Sequence, residues 1–172
     1  AKLAGGIGDA QVRNRGTVGG SIANNDPSAC YPSACMALNA IIHTNNRKIE
    51  ASKFFKGMFE TALKKGELIE AVEFQIPEKS NYQKHPNPES RYAIVGVYLA
   101  KYKKEVNVAV TGAKSAVYID KDLSRALSSS FSSSVIDGME LDSSEMNTDI
   151  HASGNFRASL VVTYTKKAVE AC

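Results

Sequence analysis

The sequence predicts an α+β chain in two units, the first ending near residue 80 and the second built on a three-stranded antiparallel sheet. Three observations predict it. Apolar residues recur at three- and four-residue spacing near both ends of the chain, and valines alternate with smaller residues between positions 92 and 119. Between them, Pro77 to Pro88 is polar and carries two further prolines, which marks a boundary and sets the units at 1–80 and 81–172.

Taken in order, Asp26-Pro27 has the form of a helix opening, with an acidic cap and a proline at the first helical position. Tyr31, Cys35, Leu38 and Ile42 follow as an apolar stripe, and Pro32 lets the helix begin loosely or begin properly only there. Ile41, Ile42 and Ile49 fit short strands around a turn at Asn45-Asn46. The alternation from Leu68 to Ile76 ends at Pro77 and fits another strand. In the second unit, Tyr92–Leu99, Val106–Val110 and Ser115–Ile119 give the three-stranded meander. The serine run 128–134 fits a loop or a frayed helix end. Phe156, Leu160, Tyr164 and Ala168 lie four apart and predict an amphipathic closing helix.

Composition narrows the function classes. The chain has 172 residues, 43% of them hydrophobic and 23% charged, enough to bury a sizeable core. A net charge of +3, from 21 basic and 18 acidic residues, is too weak and dispersed to point to a nucleic-acid surface. No apolar run approaches the ~18 residues of a spanning helix, and the N-terminus lacks the pattern of a signal peptide. Three cysteines without framework spacing fit reduced thiols in a cytoplasmic protein. His43, His85 and His151 have no partners at metal-ligand spacing, and no nucleophile–base or paired-carboxylate pattern occurs.

The most informative stretch is Arg13–Asp26, RNRGTVGGSIANND. Its glycines mark either a structural turn or a close approach to the backbone. A phosphate-binding P-loop would require Gly-Lys-Ser/Thr after the glycines, and a dinucleotide fingerprint would require Gly-x-Gly-x-x-Gly; neither occurs.

The longer segment Gln11–Ala40, QVRNRGTVGGSIANNDPSACYPSACMALNA, resembles a flavin-contacting segment of the FAD-binding medium subunits of molybdenum hydroxylases. The carbon monoxide dehydrogenase type is nearest, and the xanthine dehydrogenase FAD domain is a more distant version. Phe54–Pro77, Tyr82–Val97, Val108–Ala113 and Asp149–Leu160 continue the resemblance in the family's order across nearly the whole chain.

The resemblance implies a FAD-binding subdomain followed by a small domain with a sheet and a helical bundle. It implies FAD as cofactor, held in part by Thr17, Gly19, Gly20, Ser21 and Asn24. The residue types suit that role: glycines admit a long, flat, anionic ligand, and the hydroxyls and amide can hydrogen-bond it. Ile69 aligns with an aliphatic residue packed beside the flavin ring, or is an ordinary core residue. Lys84 aligns with a lysine near the flavin, where it could stabilise reduced flavin, or is a solvated surface lysine. Cys30 stands where the family usually has the Asp of Asp-Tyr-Pro. A thiol is a weak substitute in hydrogen bonding, so Cys30 is either a poorer flavin contact or a small packing residue. Cys30 and Cys35 lie too far apart for Cys-x-x-Cys, and a redox pair is not expected.

The implied activity is electron transfer, with FAD taking electrons from the clusters of a small iron–sulfur subunit after oxidation of substrate in a large molybdenum-cofactor subunit. The resemblance covers about the C-terminal two thirds of such a subunit. A complete FAD site is then expected to need an N-terminal subdomain absent here, in a fragment, a split gene product or a decayed paralogue. The rival expectation is a non-catalytic assembly module that has lost FAD.

Overall fold

The computed structural model describes residues 1–8 and 10–172. The chain opens with four short helices, α1 (Lys2–Gly5), α2 (Ala10–Arg15), α3 (Val18–Asn24) and α4 (Tyr31–Ala37). Strands β1 (Ile41–Thr44) and β2 (Lys48–Glu50) form the expected hairpin. A helical turn α5 (Ala51–Phe54) and the small hairpin β3 (Phe55–Gly57), β4 (Glu60–Thr61) lead to β5 (Ile69–Glu73). The first sheet has the order β2-β1-β5, all antiparallel, with Ile42 opposite both Ile49 and Val72. Ile42, Ile22, Cys35 and Phe54 are fully buried between this sheet and helices α3 and α4.

A second antiparallel sheet follows: β6 (Lys79–Pro86), β7 (Ala93–Lys101), β8 (Val106–Thr111) and β9 (Tyr118–Ile119), in that spatial order. Alternation along β7 and β8 divides its faces. Val95, Val97, Leu99, Val106, Val108 and Val110 pack on α6 (Lys121–Ser129), a 3₁₀ turn at Ser133–Ile136, and α7 (Gly154–Glu170). Ala100 and Ala109 on the other face meet Ala37 of α4, and Tyr82 of β6 meets Cys30 and Ala34. The sheet is therefore a middle layer between α4 and the pair α6/α7.

The α+β class holds, and three local expectations are corrected. First, the sheet has four strands where three are expected, because the stretch read as a boundary is the edge strand β6. An edge strand needs only one apolar face and tolerates prolines at its end, so its polarity hid it. Second, Asp26-Pro27 opens a turn rather than a helix. Asp26 Oδ1 accepts from Ser28 N at 2.8 Å, and the Pro27 carbonyl accepts from Gly112 N and Thr111 Oγ1, both at 2.7 Å. With that carbonyl taken by the end of β8, α4 starts at Tyr31 with Pro32 in its first turn. Third, the glycine stretch is helical. Thr17, in an extended conformation, caps α3 by accepting from Gly20 N at 2.9 Å. A Cβ on Gly20 would lie 2.9 Å from Thr17 Oγ1, so a side chain there would make the capping hydroxyl shift.

The buried face of α7 is Arg157, Ala158, Leu160, Val161, Thr165 and Ala168, offset from the four-residue series by the exposure of Phe156. Phe156 instead meets the edge of the His85 ring at 6.0 Å.

Candidate cofactor site

Helix α3 is fixed at both ends, and this positions the site. Its N-terminus is capped by Thr17. At its C-terminus Asn25 takes a left-handed conformation, φ 46°, and is buried. Asn25 Nδ2 donates to the carbonyls of Gly57 (2.7 Å) and Glu60 (2.8 Å), while its own carbonyl accepts from Phe59 N. The amide thus closes the β3–β4 hairpin against the helix end.

A cavity of about 310 Å³ lies between α3, the 26–30 turn and β6. It brings together six of the eight residues expected from the sequence: Thr17, Gly20, Ser21, Asn24, Cys30 and Lys84. Gly19 and Ile69 are outside that lining. They face each other across the α3–β5 contact, where a Cβ on Gly19 would lie 3.9 Å from the Ile69 side chain. Sequence reasoning missed Arg15, Arg91 and Tyr92, which also line the cavity. Arg15 stands in the motif itself, two residues before Thr17; Arg91 and Tyr92 arrive from the turn between β6 and β7, inside the resembling segment Tyr82–Val97.

The charges at this wall are Arg15, Lys84 and Arg91 against Asp26. The Lys84 ammonium donates to the carbonyls of Gly6 (2.6 Å) and Arg91 (3.0 Å) and lies 3.8 Å from Cys30 Sγ. No carboxylate pairs with it among the described residues. Beneath them Tyr82 is buried at 8% exposure and its hydroxyl makes no hydrogen bond among the described residues. Burial, with the Cys30 sulfur beside it, pushes the Tyr82 phenol well above its ordinary range, so it stays protonated. Cys35, in the core behind, is pushed up to about 12 by burial.

Two further recesses adjoin. One of about 380 Å³ shares Ile7, Val12, Gly16, Thr17 and Ser21 with the first. Another, about 220 Å³ and polar, shares Asp26, Ser28 and Tyr92 and reaches Asp149, His151 and Arg157. Together they make a groove along α3 with apolar, hydroxyl and cationic walls. That donor set fits a long, flat, anionic ligand bearing hydroxyls.

Comparisons with known proteins show what the chain is similar to. Residues 1–78 match the model of the FAD binding domain in molybdopterin dehydrogenase. The glyceraldehyde dehydrogenase medium chain of Sulfolobus acidocaldarius is 42% identical over 100 residues, 55% of this chain and 36% of that one. The carbon monoxide dehydrogenase medium chain of Hydrogenophaga pseudoflava is 26% identical over 183 residues, 96% of this chain and 63% of that one. Quinoline 2-oxidoreductase from Pseudomonas putida 86 shares the fold, with a TM-score of 0.82, 24% identity, and coverage of 99% of this chain and 65% of that one. The chain thus resembles the FAD-binding medium subunits of molybdenum hydroxylases, and spans less than two thirds of the length of the longer matches. Among the described residues no helix is long and apolar enough to cross a membrane.

Proposed function

We propose that this chain carries part of a FAD site along α3 and serves as the flavin-bearing, electron-transfer portion of a cytoplasmic molybdenum hydroxylase. The single observation that carries this reading is the cavity that gathers Thr17, Gly20, Ser21, Asn24, Cys30 and Lys84 under three cationic side chains, in a chain whose first 78 residues match a FAD-binding family.

Bound FAD supplies reversible one- and two-electron redox chemistry. The work of this chain is to bind and tune. Thr17, Ser21 and Asn24 offer hydroxyl and amide groups for orientation, and Arg15 and Arg91 offset anionic charge. Lys84, already held by two carbonyls, presents a fixed positive charge that favours an electron-rich ligand. In this reading Gly19 and Ile69 act indirectly, setting the distance between α3 and β5. No side chain is asked to do acid–base chemistry on substrate. Electrons reach the flavin from a small iron–sulfur subunit, after oxidation of substrate in a large molybdenum-cofactor subunit. The proposed units are a FAD-binding part, 1–80, and a C-terminal domain, 81–172, of the carbon monoxide dehydrogenase flavoprotein type, with the 80/81 division falling inside β6.

The second reading, an assembly module without cofactor, is favoured by Cys30 standing where the family usually has Asp. Titration of FAD into the purified chain, followed by quenching of flavin fluorescence, separates them. The titration is repeated with the unmatched part of a relative's medium chain added. Saturable binding in either arm that weakens on Arg15→Ala supports the flavoprotein; no binding in both arms supports the module.

A further inference from the structure

Asn87 organises the turn that carries Arg91 and Tyr92 to the cavity wall. Its backbone N–H donates to the Tyr92 carbonyl at 2.8 Å, and its own carbonyl accepts from Arg91 N at 2.9 Å. Its side-chain Oδ1 accepts from Glu89 N and Ser90 N, both at 3.0 Å. With that oxygen committed, the amide nitrogen of this buried residue meets His151 Nδ1, 3.2 Å away in the turn before α7. Asn87 Nδ2 can only donate, so His151 Nδ1 must accept; the contact exists only with a neutral ring whose proton is on Nε2. Within the turn Arg91 lies in the left-handed region, at φ 59°. Such a conformation is costly for a residue with a side chain and persists where surrounding contacts fix it. Arg91 and Tyr92 both line the cofactor cavity, and the Arg91 carbonyl also holds Lys84 Nζ at 3.0 Å.

From this geometry we propose that Asn87 and His151 are positioning residues for the cavity wall, and that protonation of His151 releases Arg91 and Tyr92 from it. Histidine is the side chain whose charge ordinarily changes between pH 5 and 8. A second proton on the ring turns Nδ1 into a donor that faces a donor. Turning the Asn87 amide over would mend that contact, but it would aim the amide nitrogen at the N–H groups of Glu89 and Ser90. Two hydrogen bonds are then lost for one regained. Either way the turn loses support while Arg91 keeps its strain. The neutral ring is the bound form, so the latch is complete at higher pH and opens as pH falls through the histidine titration. Among the described residues, Asp149 in the same turn, Asp26, Tyr92 and Arg157 of α7 share the polar recess with His151, and Glu89 and Arg91 stand on the latched turn. Three carboxylates favour the added proton and two guanidinium groups oppose it. The latch follows from the hydrogen bonds alone; its effect on a flavin rests on the function proposed above.

Hydrogen exchange of the full chain tests it, comparing about pH 7.5 with about pH 5.5 after correction for the intrinsic rate at each. Protection of the 87–92 turn should fall about five- to tenfold at the lower pH, the equivalent of about one hydrogen bond, while the buried strand β8 stays unchanged. His151→Asn offers an oxygen near the Nδ1 position that does not titrate, and should keep the turn protected at both pH values. His151→Ala should lower protection at both. Asn87→Asp keeps one oxygen for Glu89 N and Ser90 N and makes the other atom an acceptor, so its protection should rise on acidification. A parent turn equally protected at both pH values, or a response that persists in His151→Asn, overturns the proposal. Flavin titration at the two pH values, with the complementary region of a medium subunit present, reads the consequence. The parent Kd should weaken about fivefold on acidification and that of His151→Asn should hold. If the exchange results stand but no flavin binds at either pH, the latch stands and the cofactor reading of the cavity falls.

Discussion

Arg47 grips Glu67 across the end of the first sheet, Nε to Oε1 at 2.9 Å and Nη2 to Oε2 at 3.1 Å. Glu67 also accepts from Thr44 Oγ1 and from Lys64 N, both at 2.8 Å, and its side chain is 1% exposed. The pair therefore ties the β1–β2 turn to the loop that enters β5. The bond to Arg47 first, then that to Lys64 N, hold the Glu67 carboxyl down at about 2, against an ordinary value of 4.5.

A depressed carboxyl contributes stability that is complete above its unfolded value and is lost as pH falls through its folded one. Glu67 thus supports the fold fully above about pH 4.5 and loses that support between there and about pH 2. Glu67→Gln should be clearly less stable than the parent at pH 7, and the gap should narrow steadily on acidification below 4.5. Urea denaturation of both proteins across this range checks it. A gap independent of pH would assign the loss to packing rather than charge.

Gly112 sits at φ +83°, and a Cβ there would lie 2.5 Å from the Ile94 carbonyl oxygen and 2.6 Å from that of Ala93. Its own groups bind Pro27 O and Arg157 Nη1, so the backbone cannot shift away cheaply. Gly112→Ala should cost more than about 2 kcal/mol. Gly138, at φ +72° with nothing within 4 Å, is the control. Gly138→Ala should cost only about 1 kcal/mol, the conformational term alone. Equal costs by thermal or urea unfolding would mean that the close approach at Gly112 relaxes.

These contacts show what the sequence could and could not convey. The alternation Val106, Val108, Val110 is a property of neighbours along the chain and marked β8 directly. Asp26-Pro27 misled because the groups that occupy the Pro27 carbonyl belong to Thr111 and Gly112, more than 80 residues away. Strand β6 was hidden for a related reason: its pairing partner supplies the order that its own composition lacks. The Gly-rich motif lies along the cavity, but helical geometry turns Gly19 toward Ile69 and Gly20 toward the cavity. Arg91 and Tyr92 enter the cavity through tertiary packing, which spacing alone does not encode.

Arg157 is 3% exposed and joins three segments: Nη1 donates to Ile94 O (2.6 Å) and Gly112 O (3.0 Å), and Nη2 to Asp149 Oδ2 (2.6 Å). Asp149 in turn accepts from His151 N and Ala152 N, so the turn before α7 is anchored through it. Arg157→Met leaves two carbonyls without that donor and should cost about 3 kcal/mol. Asp149→Asn keeps an acceptor for the turn and, at 45% side-chain exposure, should cost only about 1 kcal/mol. Denaturant midpoints rank the two; the reverse order would place the anchor in the turn and not in the arginine.

Replacing Cys30 by Asp should strengthen flavin retention. Lys84 lies 3.8 Å from the present sulfur and Tyr82 packs against Cys30 with its hydroxyl unbonded among the described residues, so a carboxylate here would find a cation beside it and a hydroxyl nearby. Held between them, it would keep its remaining lone pairs toward the cavity and accept from a polyol or ring donor of FAD. A charge-assisted hydrogen bond contributes about 1.5–3 kcal/mol, and part of this offsets burial of the charge, leaving about a tenfold tighter Kd. Flavin titration of Cys30→Asp against the parent, each with the complementary region of a medium subunit present, measures it. Cys30→Ala controls for loss of the thiol alone and should bind no tighter than the parent. An unchanged or weaker Kd for Cys30→Asp would mean that residue 30 does not face the cofactor and that its sulfur serves Lys84 and Tyr82 only.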